Sequence, residues 1–151
     1  MKAKELRIGN WVQDSRDNYP CKILGVDSEQ TFVPENGDRL VGTATCTQLD
    51  ELDGSRGRWL QYLDPIPITE ELMFKCGFQK RSESRSAMIL PLENGDPLTS
   101  KLCSSLQWWI GNDYMSICRC GISALSFKIQ NLHQLQNLFY DLTGEELNIN
   151  L

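Results

Sequence analysis

The chain has 151 residues, 40% apolar and 23% charged, which suffices for one ordinary domain or two very small ones without help from disulfides or metal. Its formal charge of -5 divides into -4 over residues 1–75 (9 Lys+Arg against 13 Asp+Glu) and -1 over 76–151 (6 against 7), which argues against an obligate nucleic-acid binder with its basic face. No apolar run approaches the roughly 18 residues that span a membrane, and the opening residues lack an apolar signal core, so the expected location is the cytoplasm, with all six cysteines as reduced thiols.

In chain order, Leu6, Ile8 and Val12 alternate along 5–13 and predict a strand with one buried face, interrupted by a bulge or bend at Gly9-Asn10. Residues 21–26 and 30–34 predict two further strands with Asp27-Ser28-Glu29 turning between them. Asn36-Gly37-Asp38 is a hairpin signal leading into a strand near 39–46. The polar stretch 47–58 reads as a loop, and Trp59–Leu63 as a closing strand. Residues 1–64 thus predict a small β-barrel-like unit of four or five strands, SH3-like in size, and Pro65-Ile66-Pro67 a stiff connector.

Thr69 is a good N-cap, Glu70 and Glu71 place negative charge at the positive end of a helix, and Gly77 suits its C′ position. Residues 87–92, 106–110, 114–120 and 122–129 read as strands, with turns at Glu93–Pro97, at Gly111-Asn112-Asp113 and at Cys120-Gly121. In 131–143, Leu132, Leu135, Leu138, Phe139 and Leu142 form one helical stripe, with Asn131 as cap and Gly144 as stop. The expected class is α+β. The β-unit is followed over 65–151 by an antiparallel sheet covered by two helices, either as a second domain or within one compact domain.

Three stretches occur in order: Arg7-Ile8-Gly9-Asn10-Trp11-Val12, then Pro65–Glu71 through Lys75-Cys76-Gly77-Phe78, then Leu132–Leu138 to Leu142–Leu147. In these, the chain resembles a family of small proteins encoded by phages and mobile elements of gut Bacteroidetes. The resemblance implies an accessory protein working inside an element-bearing bacterial cell. It supplies no catalytic residues.

Candidate sites are few. His133, the single histidine, lies off the apolar stripe and reads as a surface or half-buried helix residue. Cys118 and Cys120, two apart in a strand, share a face and could form a redox pair or bind a soft metal, but a metal would need further ligands such as Cys76 or Cys103, and small core residues are the simpler reading. Asp50, Glu51 and Asp53 lack the pattern of a calcium loop. Lys80, Arg81 and Arg85, among Ser82, Ser84 and Ser86, are the basic cluster. Trp108 and Trp109, adjacent in a strand, must point to opposite faces, so one is expected in the core and the other at a binding surface.

No phosphate-binding loop, dinucleotide fingerprint, nucleophile elbow or zinc-protease motif occurs. The function read from the sequence is a non-enzymatic protein-interaction module that binds a host or defence protein, or itself, with no cofactor, metal or membrane. The alternatives are a nucleic-acid-binding accessory protein using the 80–85 cluster, and a hydrolase built on scattered carboxylates.

Overall fold

The structure, a computed structural model, describes residues 1–35, 37, 39–47, 54–81, 86–92, 104–119 and 122–150. The protein is α+β, with antiparallel sheets and two α-helices. It divides into two compact units, Met1–Pro67 with Asn131–Asn137, and Ile68–Gln130 with Leu138–Leu151.

The first unit holds β1 (Trp11–Asp14), β2 (Tyr19–Phe32), β3 (Leu40–Thr47), β4 (Ser55–Trp59) and β5 (Leu63–Asp64), with a single 3-10 turn, Leu60–Tyr62, between β4 and β5. The order across the sheet is β4-β3-β2-β1-β5, antiparallel throughout. Inward residues alternate along β3 (Leu40, Gly42, Ala44, Cys46) as a half-buried strand requires. Val12, Cys21, Ile23, Ala44, Cys46, Leu60 and Leu63 make the core, and each large aliphatic among them contributes about 1.5–3 kcal/mol by burial.

Four expectations for this unit are corrected. The 5–13 strand is confined to Trp11–Asp14. Ala3–Glu5 form a 3-10 turn, and Gly9 adopts φ 94°, in the left-handed region that glycine tolerates. Asp27-Ser28-Glu29 does not reverse the chain. β2 runs straight through it, and the extra residues form a bulge, with register jumping from Asp27↔Thr43 to Thr31↔Val41. The Asp27 carboxylate accepts from the backbone N–H of Glu29 (2.9 Å) and of Gln30 (3.3 Å), which is the local turn that the sequence signal reported. Ser55–Arg58 belong to β4 rather than a loop, and Trp59–Leu63 splits into the end of β4, the 3-10 turn and β5. The Asn36-Gly37-Asp38 signal and residues 48–53 fall wholly or partly outside the described residues.

The second unit holds α1 (Glu70–Lys75), β6 (Gln79–Lys80), β7 (Ala87–Pro91), β8 (Ser104–Trp109), β9 (Tyr114–Arg119) and β10 (Ile122–Lys128), and the C-terminal half of α2 (Leu132–Thr143). α1 starts where its cap dictates: the Thr69 hydroxyl accepts from Leu72 N–H at 3.1 Å. It stops at Gly77, whose φ of 86° lets Phe78 N–H reach back to the Met73 carbonyl at 3.0 Å. The sheet is an antiparallel meander, β10-β9-β8-β7-β6. One of its faces is apolar, carrying the rows Met88–Trp108–Met115–Phe127 and Leu90–Leu106–Ile117–Leu125. The Glu93–Pro97 and Cys120-Gly121 turn signals lie outside the described residues.

Candidate interaction surface

Because side chains alternate along β8, its last two residues part company. Trp108 is 4% exposed, in the apolar row between Met88 and Met115, with its indole N–H on the Asn112 carbonyl at 2.8 Å. Trp109 is 41% exposed on the opposite face. The β8–β9 pairing ends at Trp108↔Met115, and continuing it by one residue across the turn brings Trp109 to the position facing Tyr114, which is 50% exposed and pairs with exposed Lys128. One row of the sheet therefore reads Ala87–Trp109–Tyr114–Lys128, two aromatics beside an ammonium.

The turn that carries the pair is held in place. Asn112 N–H donates to the Trp109 carbonyl (2.9 Å), the Asn112 side-chain carbonyl accepts from Tyr114 N–H (3.1 Å), and Asp113 takes Ile129 N–H on its backbone oxygen (2.8 Å) and the Gln130 amide on its carboxylate (2.9 Å). Gly111, at φ 81°, supplies the left-handed residue. Behind the aromatics the same face turns polar. Ser116 and Ser126 hydroxyls meet at 2.9 Å, and the buried Cys118 thiol donates to Gln107 Oε1 at 3.0 Å.

Of the basic cluster, Lys80 ends β6 and Arg81, just after it, reaches the Ala87 end of this row. Lys80 sits on the Glu70 carboxylate at 2.5 Å and over the Phe74 ring at 5.7 Å, Arg81 follows it with its N–H on the Ala87 carbonyl, and Arg85 lies outside the described residues. Asp50, Glu51, Asp53, Cys103 and Cys120 also lie outside them. Among the described residues no group of three or more His, Cys, Asp or Glu side chains could hold a metal, and no helix is long and apolar enough to cross a membrane. Cys76 is buried, and burial pushes its thiol up to about 12, which makes it a poor nucleophile.

His133 corrects the sequence reading: it is 3% exposed rather than at the surface, and its Nδ1 has no hydrogen-bond partner among the described residues. Burial, partly offset by the Glu5 carboxylate, holds the imidazole below its ordinary value and so neutral.

Sequence reasoning missed three buried polar groups of the first unit. Gln136 reaches the break at Gly9-Asn10, accepting from Trp11 N–H at 2.8 Å and donating to the Gly9 carbonyl at 3.1 Å. Beside it Asn10 donates to the Asn137 side-chain oxygen at 2.9 Å, and Asn137 donates to the Glu5 carbonyl at 3.2 Å. Two of the motif stretches thus hold each other. The available signal was Gln136 itself, a polar residue one turn after Leu132 on the apolar side of the helix. In the third group, buried Arg58 bonds both Asp14 and Asp17. Burial works against the Asp14 carboxylate, but the Arg58 hydrogen bond and charge, with the N–H groups of Arg16 and Asp17, outweigh it and hold the acid below its usual range. Cys21 and Cys46 are both buried in the core, where the neighbouring Cys46 thiol and burial push the Cys21 thiol up and keep it protonated.

No protein-family model, curated protein or solved structure matches this chain.

Proposed function

We propose that the protein is a non-enzymatic interaction module that docks another protein on the Trp109–Tyr114–Lys128 row. The observation that carries this reading is the exposure of two large aromatics, side by side, on a turn fixed by five hydrogen bonds. Ordered aromatics bind at small entropic cost, and Trp and Tyr supply most hot spots of protein interfaces. The resemblance to phage and mobile-element proteins makes a host or defence protein the partner to seek. For the first unit we propose an SH3-like barrel. In its support, the first strand lies between the second and the last, a 3-10 turn joins β4 to β5, and β2 pairs with β1 through Tyr19–Lys22 and with β3 through Ile23–Phe32.

The test is capture from host lysate by wild type and by Trp109→Ala/Tyr114→Ala, with and without nuclease. A nuclease-resistant partner captured only by wild type supports the docking face. A partner captured equally by both folded proteins removes the role of these residues. The same row favours one second reading, single-stranded nucleic acid stacked on the aromatics with Lys128 at a phosphate. That reading requires a signal that nuclease abolishes and binding of an oligothymidylate that weakens steeply with salt.

A further inference from the structure

Four strands end the two sheets, and they are not alike. β5 and β6 have two residues each, too short to template another strand. β4 carries the exposed Arg56, in an ion pair with Asp17, so a neighbour would meet charge on a five-residue edge. β10 has seven residues, pairs with β9 on one side, and has no charge before Lys128. Ile122 is 72% exposed and Leu125 60%; Ser123, Ser126 and Lys128 are exposed as well. A bulge between Ser123 and Leu125 bends this edge but does not charge it, and Leu125–Lys128 continue in regular register.

We infer that β10 is a self-association edge, paired antiparallel with β10 of a second copy of the chain. The composition of the strand selects this occupant. A two-fold axis perpendicular to the sheet keeps each face in kind. The apolar row of Leu125 and Phe127 meets the partner's Leu125 and Phe127, and Ser126 continues a row of serine hydroxyls on the other face. The antiparallel sense sends the two Lys128 side chains to opposite ends of the seam, so no like charges face one another, while the chains carry -5 each and repel elsewhere. The result is one ten-stranded sheet with its exposed isoleucine and leucine covered. This inference does not rest on the Trp109–Tyr114 reading; the two share Lys128, at the end of β10, and neither needs the other.

The test is sedimentation velocity of the full chain over a concentration series from about 1 µM to about 500 µM, the upper end chosen because small strand interfaces bind at micromolar strength or weaker. The expected result is a reversible monomer–dimer equilibrium. Leu125→Lys, which sets like charges across the seam, is expected to weaken it at least tenfold, and Ile122→Ser by a smaller factor. Both variants are expected to keep the wild-type circular dichroism spectrum, since both sites are exposed. Tyr114→Ala, on the aromatic row, leaves the dimer constant unchanged. A wild type that stays monomeric throughout, or a dimer that folded Leu125→Lys forms equally well, overturns the inference. Should Leu125→Lys fail to fold, Ser126→Lys on the same edge reads the same equilibrium.

Discussion

Replacing Gln136 by alanine tests whether the second half of the chain completes the first unit. Gln136 is fully buried, and its amide stands where a neighbouring strand would, giving one acceptor to Trp11 N–H and one donor to the Gly9 carbonyl. Truncation leaves both backbone groups without a partner, at about 1–3 kcal/mol each. The better helix propensity of alanine and the released side-chain entropy return about 1 kcal/mol. The expected net loss is about 1–5 kcal/mol, read as a fall in the urea midpoint with an unchanged slope. Gln136→Glu sharpens the test. At neutral pH it keeps the acceptor but sets a carboxylate oxygen against the Gly9 carbonyl, so it is destabilised at least as much as Gln136→Ala. Burial raises this carboxyl above its unfolded value near 4.3, and once protonated it can donate as the amide did. Its deficit relative to wild type therefore shrinks as pH falls through the raised value. If both variants stay within about 0.5 kcal/mol of wild type at pH 7, the amide is not satisfying these groups and the reasoning is wrong.

Other perturbations follow from the same geometry. Arg58→Ala leaves the buried Asp14 carboxylate without its cation and is expected to cost about 3–5 kcal/mol in chemical denaturation, whereas Arg58→Met/Asp14→Leu together cost less than Arg58→Ala alone. Because His133 has a folded value below its unfolded one near 6.5, its stability contribution is complete above that pH. It declines as pH falls from there through the lowered value, and His133→Gln is expected to flatten the urea midpoint between pH 7.5 and 5 relative to wild type. Gly42→Ala is expected to cost about 2–4 kcal/mol in a thermal melt, since φ is +75° and the new Cβ would lie 2.6 Å from Leu60 Cδ1, while Gly57→Ala, with nothing within 4 Å, stays within about 0.5 kcal/mol.

Both helices were legible because their signals are local. Thr69 and Gly77 mark α1 by backbone chemistry that needs no other part of the chain, and the leucine stripe marks α2. The strands of the meander were legible as apolar runs between turn residues. What failed depended on distant partners. Asp27 makes the same hydrogen bonds in a bulge as in a reversal, and only pairing with β3 separates the two. Ser55–Arg58 reads as a loop because its arginines are polar, but Arg58 is buried against Asp14, 44 residues away. His133 looked exposed because it sits beside the leucine stripe, and its burial depends on contacts that spacing cannot report. The tryptophan pair was legible as an alternation. That Tyr114 and Lys128 extend the row is a matter of register, which requires three strands at once.

The helix α2 belongs to the first unit through Leu132–Asn137 and to the second beyond it, and this fixes an order of events on the ribosome. The backbone side of the first unit's polar seam, Gly9 to Trp11, is among the earliest chain made, and the Gln136 amide that saturates it is among the last. While every strand of the second unit is being synthesised, a nascent first unit holds a carbonyl and an N–H open to whatever donor or acceptor is nearest. The waiting period is set by translation speed at roughly 5–20 residues per second, so it lasts for seconds rather than milliseconds. Until then these groups are hydrogen-bonded to water, so slower decoding of the second unit prolongs the interval in which the first unit is held together without its closing amide.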